Sequence, residues 1–320
     1  MPLRSYQLTD FLPTTKKECA LRGWEQLDVI LFSGDAYIDH PSFGVAVIGR
    51  CLEAAGYKVA VVPQPDWHGD YRDFKKLGRP RLFFGVSPGC MDSMVNKYTA
   101  NKRLRSEDAY SPDGRHDCRP DYPTVVYTQI LKQLFPDVPV VLGGIEASMR
   151  RLTHYDYWQD KVRKCILCDS GADMILYGMG EKSIIRLCQE IENGRAISDI
   201  HDIPQTVFLV DKHDVPNGIS EKNDIVLHSH EECLKNKRAQ AENFRHIEEE
   251  ANKIHAQRLL QLVGSQYVVV NPPKSERYPL KSGISVTRFT SFKILSFDRH
   301  ATNLPWCAEI VQNEHPPKHP

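Results

Sequence analysis

Four glycine-bearing loops carry the residues best suited to chemistry. They read Gly34-Asp35-Ala36-Tyr37-Ile38-Asp39-His40, Ser87-Pro88-Gly89-Cys90, Gly143-Gly144-Ile145-Glu146 and Gly178-Met179-Gly180-Glu181. Glycine lets backbone approach a ligand closely, and exposed amides at a following helix start favour an anionic group. Tight strand–helix turns also need glycine, so any one loop is weak evidence; four at one sheet edge are stronger. Asp35, Asp39, His40 and Glu146 are the titratable groups expected at that edge, each open to an alternative role as a helix cap or supporting hydrogen bond. No individual catalytic residue can be assigned among them.

Three other stretches could do chemistry. A polar insertion, Asn96 to Asp121, holds Lys97, Lys102, Arg103, Arg105, Arg115 and Arg119 against Glu107, Asp108, Asp113 and Asp117, with Tyr98 and Tyr110 able to stack on a base. The interleaved acids favour a solvated loop over a phosphate or RNA site. Arg150 to Lys161, RRLTHYDYWQDK, is read as part of a helix in which Tyr155 and Trp158 share a core-facing side and His154 is structural. Cys165 and Cys168 have C-x-x-C spacing, but no second pair lies at zinc-ribbon distance, and no metal site is expected.

The elements that must position these loops follow from hydrophobic patterning. Five short runs are apolar throughout: Asp28–Phe32, Lys58–Val62, Arg81–Val86, Val138–Gly143 and Asp173–Gly178. Strands covered on both faces read this way. Helices are expected over His40–Ala55, Pro123–Phe135, Met149–Val162 and Glu181–Asn193. Alternating strands and helices imply a doubly wound, five-stranded parallel α/β sheet, Rossmann- or flavodoxin-like. In such sheets the ligand crevice lies beyond the carboxyl ends of the strands, where strand order reverses. A long helix is then expected over His230–Leu262, with Phe244, Ile247, Ala251 and Ile254 as its apolar stripe, and a strand over Gln266–Val270.

Composition bounds the class. The 320 residues carry 41 Lys plus Arg against 41 Asp plus Glu, so no global field attracts nucleic acid or an anionic membrane. No run reaches the ~18 apolar residues of a membrane helix, and the first residues lack the apolar region of a secretory signal. Nine scattered cysteines fit reduced thiols in a cytoplasmic protein.

Longer motifs point to a family. LPTTKKE, LFSGDAYIDHPSFG, DFKKLGRPRLFFGVSPGCMDSMVNKYTANK, VVLGGIEASMRRLTHYDYWQDK and ADMILYGMGEK resemble the amino-terminal half of the YgiQ-type radical SAM proteins, nearly without break from Leu12 to Pro273. That resemblance implies a domain similar to cobalamin-binding Rossmann modules, joined to a radical SAM barrel. In the barrel, C-x3-C-x2-C holds a [4Fe–4S] cluster whose open iron takes S-adenosylmethionine. It implies cofactor contacts at Ser87 and Gly89, Gly143 and Gly144, and Gly178, Gly180 and Glu181. Modules that replace the lower ligand of cobalt use D-x-H-x-x-G. Here Asp39-His40-Pro41-Ser42-Phe43-Gly44 departs from it, so the resemblance does not imply histidine ligation.

The expected organisation is therefore an α/β domain over 1–228 with an insertion at 96–121, a long helix and linker strand over 229–273, and a non-family tail over 274–320. The tail has one cysteine, Cys307, and C-x3-C-x2-C occurs nowhere in the chain. A frameshift or truncation is the expectation, with the chain inactive alone and the missing barrel as its partner. The alternative is a stand-alone module binding cobalamin or a nucleotide. RNA binding through residues 97–119 is the least favoured reading.

Overall fold

The computed structural model describes residues 7–220, 222–253 and 255–273. The expected tail, and Ile254 of the expected stripe, lie outside them. In chain order the strands are β1 (Val29–Ser33), β2 (Val59–Pro63), β3 (Phe83–Ser87), β4 (Val140–Leu142), β5 (His154–Asp156), β6 (Lys161–Arg163), β7 (Met174–Leu176), β8 (Thr206–Asp211), β9 (Asp224–Leu227), β10 (Arg258–Val263) and β11 (Gln266–Val270). The helices are α1 (Lys16–Leu21), α2 (Gly44–Ala54), α3 (Arg72–Lys75), α4 (Ser93–Lys97), α5 (Pro123–Leu134), α6 (Gly144–Met149), α7 (Ile166–Ser170), α8 (Glu181–Glu192), α9 (His230–Lys235) and α10 (Lys237–Ala251).

Each of the five apolar runs overlaps a strand. β2-β1-β3-β4-β7 are adjacent and parallel, in register Val29↔Val59, Val29↔Phe83, Phe84↔Val140 and Val141↔Met174. β1 is buried along its whole length because the sheet is covered on both faces. On one side Leu31, Leu52, Val61, Val141, Ile184 and Leu187 form a core under α2 and α8. On the other, Phe32, Phe84, Tyr127, Leu131 and Leu142 pack beneath α5.

The sheet does not stop at five strands. It has nine, in the order β2-β1-β3-β4-β7-β8-β11-β10-β9. β8 runs antiparallel to β7, β11 antiparallel to β8, and β10 antiparallel to β11. Two reversals bring β11 back parallel to β7, so Val270 ends at the same sheet edge as the four loops. β10 also corrects the expected helix over 230–262: residues 258–263 are extended, and the helical stretch is broken at Asn236. That residue has φ −137° and caps α10 by accepting from Arg238 N at 2.9 Å. The buried face of α10 carries Ala239, Asn243 and Glu250, while Phe244 is exposed.

The helix expected over 149–162 is instead a hairpin of β5 and β6, registered His154↔Arg163 and Asp156↔Lys161. Asp156 Oδ1 accepts from the amides of Trp158 and Gln159 at 2.9 and 3.0 Å, a side-chain-made turn that competes with the helix. Tyr155 is exposed, not core, and Trp158 packs at a tilt against Tyr98 with centroids 5.5 Å apart.

Candidate functional site

The carboxyl ends of β1, β3, β4 and β7 open onto a cleft of about 350 Å³. Its floor is Leu31, Gly85, Val141 and Leu176; its sides are the start of α2 (Gly44, Val45, Ile48) and of α8 (Glu181, Ile184). The chain turns from β1 to β2 on one side and to β3 on the other, so the cleft lies at the strand-order reversal. Of the residues expected from sequence, Ser87, Gly89, Gly143, Gly144, Gly178, Gly180 and Glu181 line it. Glu181 is the only charged residue among the lining side chains.

Backbone geometry explains two of those glycines. Gly144 has φ +79°, and a Cβ there would stand 2.7 Å from Ser87 Oγ. Gly178 has φ +67°, and its amide donates to Ser148 Oγ at 3.2 Å, tying the loop after β7 to α6. Both positions are left-handed and favour glycine, which lets the two loops approach each other around the cleft.

Gly34, Asp35, Asp39, His40 and Glu146 do not line the cleft. A Cβ on Gly34 would stand 2.2 Å from Pro88 O, so that glycine permits the loops after β1 and β3 to touch. Asp35 is buried directly behind Gly89 and Cys90. It accepts from Cys90 N at 2.6 Å and from Arg119 Nη1 at 2.6 Å. Arg119 is 1% exposed; it also donates to Asp108 Oδ2 at 2.8 Å and Pro88 O at 3.0 Å. Burial pushes the Asp35 carboxyl up, opposed by the Arg119 guanidinium. Asp108 is held below the usual carboxylate range: hydrogen bonds from Asn96 and the Arg119 charge outweigh its burial. The Cys90 thiol, at the cleft wall, is pushed up to about 12 by burial and by the Asp35 charge.

Asp39 is buried in an ion pair with Arg50 on α2. The His40 ring accepts from Ser42 N at 3.1 Å through Nδ1, closing its own loop. Glu146, on the buried side of α6, is fully buried and accepts from Ser93 Oγ and from the amides of Ser93 and Thr124 at 3.2 Å each. Burial pushes its carboxyl up, against the Arg150 guanidinium. These four groups hold loops together, the alternative role weighed for each from the sequence.

Arg119 is the residue sequence reasoning missed. Its place in the sequence groups it with the cations of a solvated insertion, yet it is the link between that insertion and the cleft. Lys97 pairs with Asp117 and Asp121 at 2.6 and 2.9 Å, and Tyr98 and Tyr110 pack on Trp158 and Phe43. Two of its six cations, Lys97 and Arg119, and both rings are thus engaged, while Lys102, Arg103, Arg105 and Arg115 are exposed. The one available signal was its length, since long segments in compact domains are seldom idle.

Among the described residues no group of three or more His, Cys, Asp or Glu side chains could hold a metal ion. Cys165 is fully buried and burial pushes its thiol up, so the C-x-x-C pair offers no ready thiolate. No cluster-binding set is present in this part of the molecule. No described helix is long and apolar enough to cross a membrane.

Comparison with known proteins bears on the whole chain. A family model described as Radical SAM N-terminal matches residues 11–281, continuing past Pro273. UPF0313 proteins of Bacteroides thetaiotaomicron and Porphyromonas gingivalis are 63% identical over 282 residues and 58% identical over 302. These matches cover 85% and 94% of this chain, and 45% and 46% of the relatives. The UPF0313 protein of Geobacter sulfurreducens is 46% identical over 272 residues, 85% of this chain and 44% of its own. The chain thus spans about half the length of the curated relatives it matches. A solved radical S-adenosylmethionine methyltransferase, TsrM from Kitasatospora setae, aligns with 56% of this chain and 28% of its own, at TM-score 0.37 and 19% identity. With most of its length inside one family model and relatives this similar across it, the chain belongs to the Radical SAM N-terminal family, to which its own motifs pointed.

Proposed function

We propose that residues 7–273 form the ligand-presenting module of a radical SAM protein. The cleft takes the uncharged, nucleoside-sized part of a cofactor, cobalamin or a nucleotide. Radical chemistry belongs to a [4Fe–4S] cluster and S-adenosylmethionine held outside the described residues. The observation that carries this is the cleft itself, whose volume falls within the roughly 300–1,000 Å³ of small-molecule sites. Its walls are mainly apolar, and glycines at Gly89, Gly143, Gly144, Gly178 and Gly180 bring backbone to its edge. Walls that carry a single charge, at Glu181, suit a flat ring better than an anionic metabolite. Cobalamin, when bound, would supply the cobalt chemistry; Ser87, Gly143, Gly144, Gly178, Gly180 and Glu181 would hold it, and His40, outside the cleft, would take no part. Without the cluster the module binds and orients but does not turn over. The same cleft equally serves a stand-alone binding module, so binding and turnover must be measured separately. RNA binding is the weaker reading: Lys97 and Arg119 are tied to carboxylates, and the exposed cations of the insertion stand among exposed acids.

The test is to titrate the 320-residue chain with hydroxocobalamin by absorbance, and with adenosine and AMP by calorimetry. Gly44→Leu is the cleft-filling control, because Gly44 lines the cleft and a Cβ there meets nothing within 4 Å. Saturable binding by the wild type and its loss in the folded variant are expected. No binding of any of the three to the wild type sinks the proposal.

A further inference from the structure

The cleft reading leaves one costly feature unexplained. Among the described residues, every arginine that is not exposed pairs with a carboxylate, except Arg151. Its guanidinium lies over the Tyr177 ring, 5.0 Å from the centroid, and Nη1 donates to Ser148 O at 2.5 Å. Nε is buried with no acceptor. Partners raise the buried guanidinia of Arg50, Arg119 and Arg150, whereas burial pulls Arg151 down and Glu248, on α10, acts only from beyond ion-pair range. A desolvated cation without a counter-ion is destabilising.

The place of this cation suggests its use. Ser148, whose carbonyl Arg151 holds, bonds through Oγ to Gly144 O at 2.8 Å and to the Gly178 amide at 3.2 Å. Tyr177, on which Arg151 stacks, directly precedes Gly178, and its hydroxyl donates to Asn271 O at 2.7 Å. Arg151 is therefore braced against both loops that frame the cleft on the β4–β7 side. With Nη1 on Ser148 O and Nε buried, Nη2 is the donor with no protein partner, and a charge-assisted bond from it to an oxyanion would also bring the guanidinium its counter-ion.

We infer that Arg151 is an anion anchor beside the cleft, held without a counter-ion so that a phosphate group of the ligand supplies one. The identity of that ligand rests on the cleft reading; the anion site is testable without it. Wild type, Arg151→Met and Arg163→Met would be melted in chloride and in inorganic phosphate at matched ionic strength, then titrated with adenosine and AMP. Arg163, paired with Asp169, is the control for losing a surface cation.

Without phosphate, Arg151→Met should melt at or above the wild-type temperature. Phosphate should raise the Tm of the wild type and of Arg163→Met but not of Arg151→Met. AMP should bind the wild type about tenfold or more tighter than adenosine, an advantage lost with Arg151. A lower Tm for Arg151→Met in chloride, with equal phosphate shifts in all three proteins, would make Arg151 a structural stack and overturn the inference. Equal binding of adenosine and AMP also overturns it, while the cleft reading survives. A phosphate shift that depends on Arg151, with no nucleoside or cobalamin binding, upholds the anchor and removes the cleft reading. Arg151→Gln, which keeps a donor toward Ser148 O, repeats the series if the methionine variant does not accumulate.

Discussion

Arg119 between Asp35 and Asp108 is a buried triad of net charge −1, and its central cation and one of its anions can be removed separately. Arg119→Met leaves both carboxylates, 3% and 6% exposed, without their cation. Breaking such an interaction costs about 3–5 kcal/mol, and the structure limits the loss because a stranded carboxyl can protonate, at about 4 kcal/mol at neutral pH for an ordinary group. We expect a deficit of about 3–4 kcal/mol at pH 7 that shrinks by roughly 2 kcal/mol at pH 5, as proton uptake becomes easier. Asp35→Asn does something different: it leaves the neutral Arg119–Asp108 pair intact and keeps an amide oxygen for Cys90 N, so about 1 kcal/mol should be lost. Urea unfolding of the three proteins at both pH values measures these differences. Equal damage from the two variants, or an Arg119→Met deficit unchanged between pH 7 and pH 5, would refute the reasoning.

Gly144→Ala should destabilise by about 1–3 kcal/mol, since it combines φ +79° with a contact at 2.7 Å, whereas Gly180→Ala, whose Cβ meets only Leu176 at 3.6 Å, should be near neutral by thermal melting. The folded Glu146 carboxyl lies above its ordinary range, so its contribution is favourable below that range and is lost as pH rises through the folded value. Glu146→Gln should therefore flatten the fall in stability between about pH 4.5 and neutrality, read by denaturation at several pH values. Cys90, pushed up to about 12, should alkylate far more slowly at pH 8 in the folded chain than in urea, and Asp35→Asn should speed it; equal rates would remove the assigned environment. His154, pulled down to about 4 by burial, should show no imidazole NMR titration between pH 5.5 and 8.

The parallel half of the sheet was legible because both of its faces are buried, and such strands advertise themselves as unbroken apolar runs such as Val29–Phe32 and Val59–Val62. The glycines at their carboxyl ends were legible for a related reason: tight loops restrict residue type locally. What escaped depends on partners far away in the chain. Arg258 to Val263 reads as easily helical as extended, and its state is settled by Val270 and Ile225, which pair with Leu259. His154 to Arg163 contains aromatic and charged residues at both helical and strand spacings; the Asp156 side chain decides by making the turn. Arg119 looked like any insertion cation, since nothing near it in sequence shows that Asp35, 84 positions earlier, waits for it. Within the site, glycines that line the cleft were found by type, while the carboxylates beside them proved to be internal ties.

The placing of β11 inside the sheet bears on the order in which the molecule assembles. It pairs with β8 on one side and β10 on the other, so an interior strand is the last of the nine to leave the ribosome. The β1–β7 half, with its cleft, has all its strands available once about Leu176 has emerged, and domains form as their parts appear. β8 and the β9–β10 pair must then wait with open edges, which are templates for wrong partners. Closure by Gln266–Val270 removes both edges at once and, through Asn271, brings the Tyr177 hydroxyl its acceptor. A nascent chain halted before residue 266 would thus carry a finished ligand cleft beside an unfinished, adhesive sheet.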